Sequence, residues 1–595
     1  MARSHSEPPR TDPVGPELRP WRVDAADGMR IEWDAGIPMD DGLVLRADVF
    51  RPAGPGPHPV ILTYGPYAKG LPFQEGYPDQ WRRLAASHPE VLRGSSGRYQ
   101  NWEAVDPEKW VPDGYVCVRV DSRGAGRSPG FLDPFSPRET RDFYLCIEWA
   151  ARQPWSSGKV GLLGISYYAI NQWHVASLQP PHLAAICPWE GAADWYRDMA
   201  RHGGIVCTFW DNWMRKQVIT VQHGRGERGP RNPLTGQPVA GDETRPEAEL
   251  ADHRADLRRA VLSHPLDGDY YRGRSPDWSR ITVPLLSSAN WGGQGLHPRG
   301  NFEGFLRAAS QQKWLEVHGL EHWTEFYTDY GLALQKRFFD HFLKGAANGW
   351  ERQPAVLLQI RHRDRFVARG EDAWPIRRTR WTRCYLDAAS KTLAAEPPAG
   401  EAAVAFDALG EGVTFAGPPL SGETEITGPV AARLFVSSST ADADIFAVLR
   451  AFDPSGREID FQGALDPHTP IGQGWLRASQ RRLDPGLSTE WRPYHSHDRR
   501  DPLIPGHVYE LAVEIWPTSL VLPPGHRIAL TIMGKDFERP EAGLEMRSFA
   551  NPLRGSGPFL HNDPEDRPGS LFGGRTTIHT GGAAASYLLL PVIPG

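Results

Sequence analysis

The sequence predicts an α/β protein: a doubly wound, mostly parallel sheet interrupted by a helical cap and followed by an all-β domain. Three observations carry this. Short apolar runs alternate with amphipathic helical stretches from about residue 30 to residue 345, the pattern of right-handed βαβ units. That alternation breaks between about Arg197 and Tyr271, where a Trp-rich helical piece and a charged, Gly/Pro-rich loop intervene. From about Arg377 the texture changes to short alternating strands separated by turns. At 595 residues the chain is too long for one domain. The expected division is a disordered N-terminal arm over 1–28 and an α/β domain over 29–196 and 276–350. An inserted cap spans 197–275, a linker 351–376 and a β-sandwich of jelly-roll type 377–595.

Taken in order, residues 1–20 are polar and proline-rich, with no apolar core to suggest a signal peptide or anchor. Ile31 to Pro52 suggests two strands around the turn Asp40-Asp41-Gly42. Val60 to Thr63 is a strand ending in Tyr64-Gly-Pro-Tyr67, and a Trp-rich insertion (73–110) precedes the strand Tyr115 to Val120. The Gly-rich loop Asp121 to Ser128 lacks the Gly-Lys-Ser/Thr ending of a P-loop and leads into a proline-rich stretch instead of a helix, so nucleotide binding is discounted. Glu139 to Gln153 is an amphipathic helix with Phe143, Ile147 and Ala150 on one face. Then come the strand Val160 to Leu163, a sharp turn at Gly164 to Ser166, the helix Tyr167 to Leu178, and the strand Leu183 to Cys187 ending at Pro188-Trp-Glu190. Glu247 to Leu262 reads as a cap helix, and the sheet resumes with Val283 to Ser287, Gln312 to Val317 and the loop Gly319 to His322. Ala431 to Val436, Ala443 to Ala451, Tyr509 to Ile515 and His526 to Ile532 are the clearest strands of the last domain.

A formal charge of −6 supplies no basic field for nucleic acid or an anionic membrane. Five scattered cysteines, with no C-x-x-C pair, give no disulfide framework and suit a reducing compartment, hence a cytoplasmic location. No segment is long and apolar enough to span a bilayer. No cofactor is expected, and no metal, because no His/Asp/Glu cluster has ligand spacing in the sequence. The expected partner is a small molecule, with a homo-oligomer left open.

The chemistry gathers where strands end. Reactive groups in a doubly wound sheet sit at the carboxyl ends of its strands, and four loops occupy such ends: Tyr64–Tyr67, Ser166–Tyr167, Pro188–Glu190 and Gly319–His322. A serine at a strand-to-helix turn is a nucleophile elbow, although Tyr168 stands where G-x-S-x-G has its last glycine; the plainer reading of Ser166 is a helix cap. His322, after the last strand, follows the serine in the order this chemistry uses and would take its proton. The Tyr167 backbone N–H and the Tyr67 hydroxyl are the candidate oxyanion donors.

Gly164-Ile-Ser-Tyr167 with Gln172-Trp173, Asp121-Ser-Arg-Gly124, Ala431 to Ser439 and Leu522-Pro-Pro-Gly-His-Arg527 together resemble the cocaine-esterase and X-Pro dipeptidyl-peptidase hydrolases. The resemblance implies an α/β-hydrolase domain, a helical cap and a C-terminal jelly roll, with Ser166 as nucleophile, His322 as base and Tyr67 as hydroxyl donor. One departure stands out. The family carries its triad aspartate in a Trp-x-Asp-Gly loop, which here reads Asn290-Trp-Gly-Gly-Gln294, with Gly293 at the acid's place. Glu190, at the end of the preceding strand, is the expected replacement; Glu303, Asp194 and Glu321 compete. The expected activity is hydrolysis of an ester or small amide through an acyl-serine. An X-Pro dipeptidyl-peptidase, an acylase of the same family, or a non-catalytic binding protein on a degraded scaffold are the alternatives.

Overall fold

Alternating apolar runs and helices build one eleven-stranded sheet in a computed structural model that describes residues 16–595. Its strands are β1 (Arg22–Ala26), β2 (Met29–Pro38), β3 (Val44–Pro52), β4 (His58–Gly65), β5 (Val116–Asp121), β6 (Ser156–Ile165), β7 (Leu183–Trp189), β8 (Leu285–Asn290), β9 (Lys313–His318), β10 (Val356–Arg361) and β11 (Phe366–Glu371). They lie in the order β1-β2-β3-β5-β4-β6-β7-β8-β9-β10-β11. The run from β5 to β10 is parallel, while the β1–β3 meander and β11 are antiparallel to their neighbours. A parallel sheet must be covered on both faces. In β6, Val160 and Leu162 pack in one cluster with Phe143 and Ile147 of α1 (Pro137–Ala151). Leu163 and Ile165, pointing the other way, pack in another with Phe338 and Phe339 of α4 (Asp329–Lys344). Between them in sequence lie α2 (Tyr167–Ala176) and α3 (Pro298–Arg307).

Two expected boundaries move. The expected arm runs to residue 28, and its first residues (1–15) lie outside the described ones; residues 22–26, however, form β1, paired with β2 from Arg22↔Trp33 to Ala26↔Met29. The stretch 351–376 is not a linker. It supplies β10 and β11, and Val356, Leu358 and Ile360 alternate inward to pack against Leu315 and Val317 of β9. The expected turn at Asp40-Asp41-Gly42 does join β2 to β3, with Gly42 at φ 86°. The expected cap helix 247–262 divides into Glu247–Asp252 and Leu257–Ser263, the second begun by Asp256, whose carboxylate accepts from Arg259 N–H.

The Gly-rich loop after β5 is a fastener. Asp121 accepts from the backbone N–H groups of Lys69 (2.5 Å) and Arg127 (2.8 Å), and buried Lys69 Nζ lies 3.0 Å from Asp34 and 3.1 Å from Asp48. Buried charges persist only when paired in this way.

The C-terminal region forms a twelve-stranded sheet around a core that includes Leu434, Ile445, Leu449, Leu511, Val513 and Leu530. Where the sequence predicts a sandwich, hydrogen bonding closes the sheet on itself. Its longest strand, Thr424–Ser438, pairs with Tyr509–Leu522 and also with Tyr587–Ile593, which removes the exposed edges there. No helix among the described residues is long and apolar enough to cross a membrane.

Candidate active site

Ser166 follows β6 directly and precedes α2, with φ 56° and ψ −114°. This is a conformation that L-residues avoid and that strand-to-helix elbows store at reactive serines. Tyr168, in place of the usual glycine, is accommodated by two glycines elsewhere. A Cβ on Gly164 would lie 2.4 Å from Tyr168 Cβ, and one on Gly65, at the end of β4, 2.6 Å from Tyr168 Cε1. The glycine requirement has moved to the neighbours of the tyrosine.

Ser166 Oγ lies 3.1 Å from His297 Nε2. His297 stands immediately before α3, in the Gly-rich loop after β8 where an aspartate was missed. His322, expected as the base, makes no hydrogen bond to Ser166. Its two nitrogens are taken by carboxylates: Nδ1 donates to Glu190 (2.7 Å) and Nε2 to Glu103 (3.0 Å). The two imidazoles stack, with ring centroids 4.6 Å apart and planes 10° from parallel. His297 thus occupies the position assigned to His322, and His322 stands behind it.

Glu190 does meet His322. It leaves β7 at φ 50°, and its second oxygen accepts from His318 Nε2 (3.0 Å) and Asn290 Nδ2 (3.2 Å). The competing acids are engaged elsewhere. Glu303 pairs with Arg492 (3.2 Å) and Arg307 (3.5 Å), Asp194 with Arg197 (2.8 Å), and Glu321 with Arg83 (3.1 Å). Glu103, which the sequence reading missed, comes from the Trp-rich insertion. Its backbone carbonyl accepts from Ile165 N–H (3.0 Å) while its carboxylate holds His322. No periodicity or motif marks it in the sequence. His297 had one signal, its loop at the carboxyl end of a strand.

All four groups are buried, and their charges are set by one another. Burial, reinforced by the His322 charge, pushes His297 well below the usual histidine range, so at neutral pH it is an uncharged acceptor. Burial also opposes charging of His322, but Glu190 and Glu103 outweigh it and hold that ring up at about 9. Glu190 is held well below the ordinary carboxylate range by His322 and His318 against the cost of its burial. Burial pushes Glu103 up to about 7, against the pull of His322.

Above the serine lies a cavity lined by Trp102 and Glu103 of the insertion, Phe209, Trp210 and Trp213 of the cap, and Leu465 and Phe549 of the barrel region, with Tyr67, Phe135 and Ile170. Tyr67 Oη accepts from Trp213 Nε1 (3.0 Å), leaving its own proton to donate; burial raises its pKa well above the usual value, so that proton stays. The Tyr167 N–H, first in α2, has no intrahelical acceptor. Its ring hydroxyl is separately anchored, donating to Glu139 (2.5 Å). A barrel-region loop fastens both histidine loops: Ala464 N–H donates to Gly292 O (2.9 Å), and His322 N–H donates to Ala464 O (2.8 Å).

Glu190, His297 and His322 bring ligand atoms within 4.8 Å of one another, so the absence of ligand spacing in the sequence does not exclude a metal here. Their hydrogen bonds to Ser166, Glu103 and His318 are those of a hydrogen-bonded network beside a serine hydroxyl.

Residues 41–374 match the family of X-Pro dipeptidyl-peptidase (S15 family), and residues 348–589 match the X-Pro dipeptidyl-peptidase C-terminal non-catalytic domain. The chain is 25% identical to the cocaine esterase of a Rhodococcus species, over 94% of this chain and 97% of that one. It is similar to a solved CocE/NonD family hydrolase from Staphylococcus aureus, at 32% identity with a TM-score of 0.80, covering 95% of this chain and 94% of the other. A solved α-amino acid ester hydrolase shares the fold at 18% identity, with a TM-score of 0.66 over 98% of this chain and all of that one.

Proposed function

Since the chain belongs to the X-Pro dipeptidyl-peptidase family, we propose that it is a serine hydrolase cleaving an ester or small amide through an acyl-Ser166 intermediate. The observation that carries this is an uncharged histidine at hydrogen-bonding distance from an elbow serine, beneath an aromatic cavity. His297 Nε2 takes the hydroxyl proton as Ser166 Oγ bonds to the acyl carbon. The oxyanion receives hydrogen bonds from the Tyr67 hydroxyl and the Tyr167 N–H, each donor supporting about 10²–10³ in rate. His297 then protonates the leaving group and activates the water that releases the acid. The stacked His322, fixed between Glu190 and Glu103, sets the plane of His297.

Two features favour an ester or small amide with an apolar acyl group over a peptide with a free N-terminus. The cavity walls are mostly aromatic, and Glu103, a carboxylate lining the cavity, is already committed to His322. An assembled serine, base and hydroxyl donor weigh against a degraded, non-catalytic scaffold. Five unpaired cysteines fit a cytoplasmic place of action. A fluorophosphonate probe should label the wild type with unit stoichiometry at Ser166. Equal labelling of Ser166→Ala would remove the assignment.

The pH profile should report Glu103. When His297 gains the proton it lies against a ring that is already positive, and an ionised Glu103 offsets that repulsion. Glu103 is raised, so it is neutral below about 7 and charged above it, and kcat/KM should therefore climb as pH rises through about 7. The apparent value belongs to the coupled group. Glu103→Gln should flatten that limb at the lower rate; an unchanged limb in this variant would assign it to another residue.

A further inference from the structure

A second buried cluster lies about the junction of cap and barrel, outside the site described above. His202 ends the first strand of a two-strand ribbon (Arg201–His202 with Ile205–Val206), and Cys207 follows the second. His561 and Asp536 come from the C-terminal region. All four residues are buried.

Their hydrogen bonds fix the tautomers. His202 Nε2 faces the carbonyl oxygen of Asp198 at 3.0 Å and must carry a proton to bond to it. His561 Nδ1 faces Asp536 Oδ1 at 2.7 Å, and a second Asp536 oxygen accepts the His561 backbone N–H at 2.6 Å. In neutral rings the two remaining nitrogens, His202 Nδ1 and His561 Nε2, are therefore both lone-pair acceptors, and they are 2.8 Å apart. Facing lone pairs at that distance require a positive charge between or beside them. The Cys207 sulfur lies within 4.8 Å of a ring nitrogen of each histidine.

We propose that His202, Cys207 and His561 form a zinc(II) site that fastens the cap to the barrel region. Two imidazoles and a thiolate are the donor set a borderline-soft, d¹⁰ ion selects. The Asp536–His561 bond is the carboxylate–imidazole support that orients a ligating ring. The charge closes as well: the ion's two positive charges are matched by one thiolate and one Asp536 carboxylate, so the buried site is neutral. Burial raises the Cys207 thiol far above its usual value, and ion binding expels that proton to solvent. Seating the ion at about 2.0–2.1 Å from each nitrogen in tetrahedral geometry would open the nitrogen pair by about half an ångström. Cys207 is two residues from Phe209, so the same anchor holds one wall of the cavity in place.

The test uses the full-length protein purified without chelators. The wild type should retain about one equivalent of zinc, and after exchange with cobalt(II) should show the near-ultraviolet thiolate-to-cobalt absorption. Cys207→Ser should lose that absorption, whereas His297→Asn, which alters the other histidine cluster, should keep it. Chelation should lower the Tm of the wild type and leave that of Cys207→Ser unchanged. A wild type that binds neither ion and is indifferent to chelator would overturn the site and leave a proton shared between His202 and His561. An absorption that survives Cys207→Ser would overturn it as well.

Discussion

Ser166→Ala should lower kcat on a p-nitrophenyl ester by at least about 10⁴-fold with little change in KM or Tm. In the proposed reaction the hydroxyl oxygen bonds to the acyl carbon, so its removal leaves only binding and oxyanion stabilisation, which sustain a small residue of rate. Among the described residues its one side-chain hydrogen bond is to His297, and alanine keeps the Cβ that already tolerates φ 56° in the elbow. The fold therefore has no reason to respond. Retention of more than about one per cent of wild-type kcat, in protein free of contaminating esterase, would show that Ser166 is not the nucleophile.

The second large effect separates the two histidines. His297→Asn removes the proposed acceptor of the serine proton and should cost about 10³–10⁵ in kcat, with modest loss of stability because His297 Nδ1 has no partner among the described residues. His322→Asn acts differently. It takes His322 away from two buried carboxylates, Glu103 and Glu190, leaving Glu190 only His318, and breaking a buried pair costs up to about 3–5 kcal/mol. Its signature is a large drop in Tm, with activity falling through displacement of the stacked His297. The reverse pattern, near-normal turnover in His297→Asn and an inactive but well-folded His322→Asn, would restore His322 to the role the sequence suggests. In that case the ring must leave Glu103 and swing to Ser166 during the reaction.

How much was legible follows from how local each signal is. The elbow was readable because strand, turn and helix are consecutive, and Glu190 because it ends the next strand. The contact between Glu190 and His322 could be expected from topology alone, since both leave the same edge of a parallel sheet. The base could not be settled in this way. His297 and His322 both follow strands, and choosing between them depends on ring orientations set by Glu103, which arrives from an irregular insertion with no period to read. The expected linker at 351–376 is misplaced for a related reason: Val356-Leu-Leu-Gln-Ile360 carries a strand's alternation, but the change of texture nearby outweighs so short a signal in the sequence. The cluster at His202, Cys207 and His561 is drawn from positions up to 359 residues apart, so no spacing rule could have found it.

The loop at Ala464 gives the protein a sense of order in time. The serine, both histidines and the aromatic cap are translated before it, yet the backbone bonds from Ala464 to Gly292 and His322 exist only once the chain has passed residue 464. Phe549, a wall of the cavity, emerges later still. A nascent chain therefore holds Ser166, His297 and His322 long before it holds the bonds that fix the two histidine loops. The barrel region works as the last tumbler of a lock: hydrolysis should begin only when synthesis is nearly complete, and a chain cut short before residue 464 should carry Ser166 without the contacts that align its histidines.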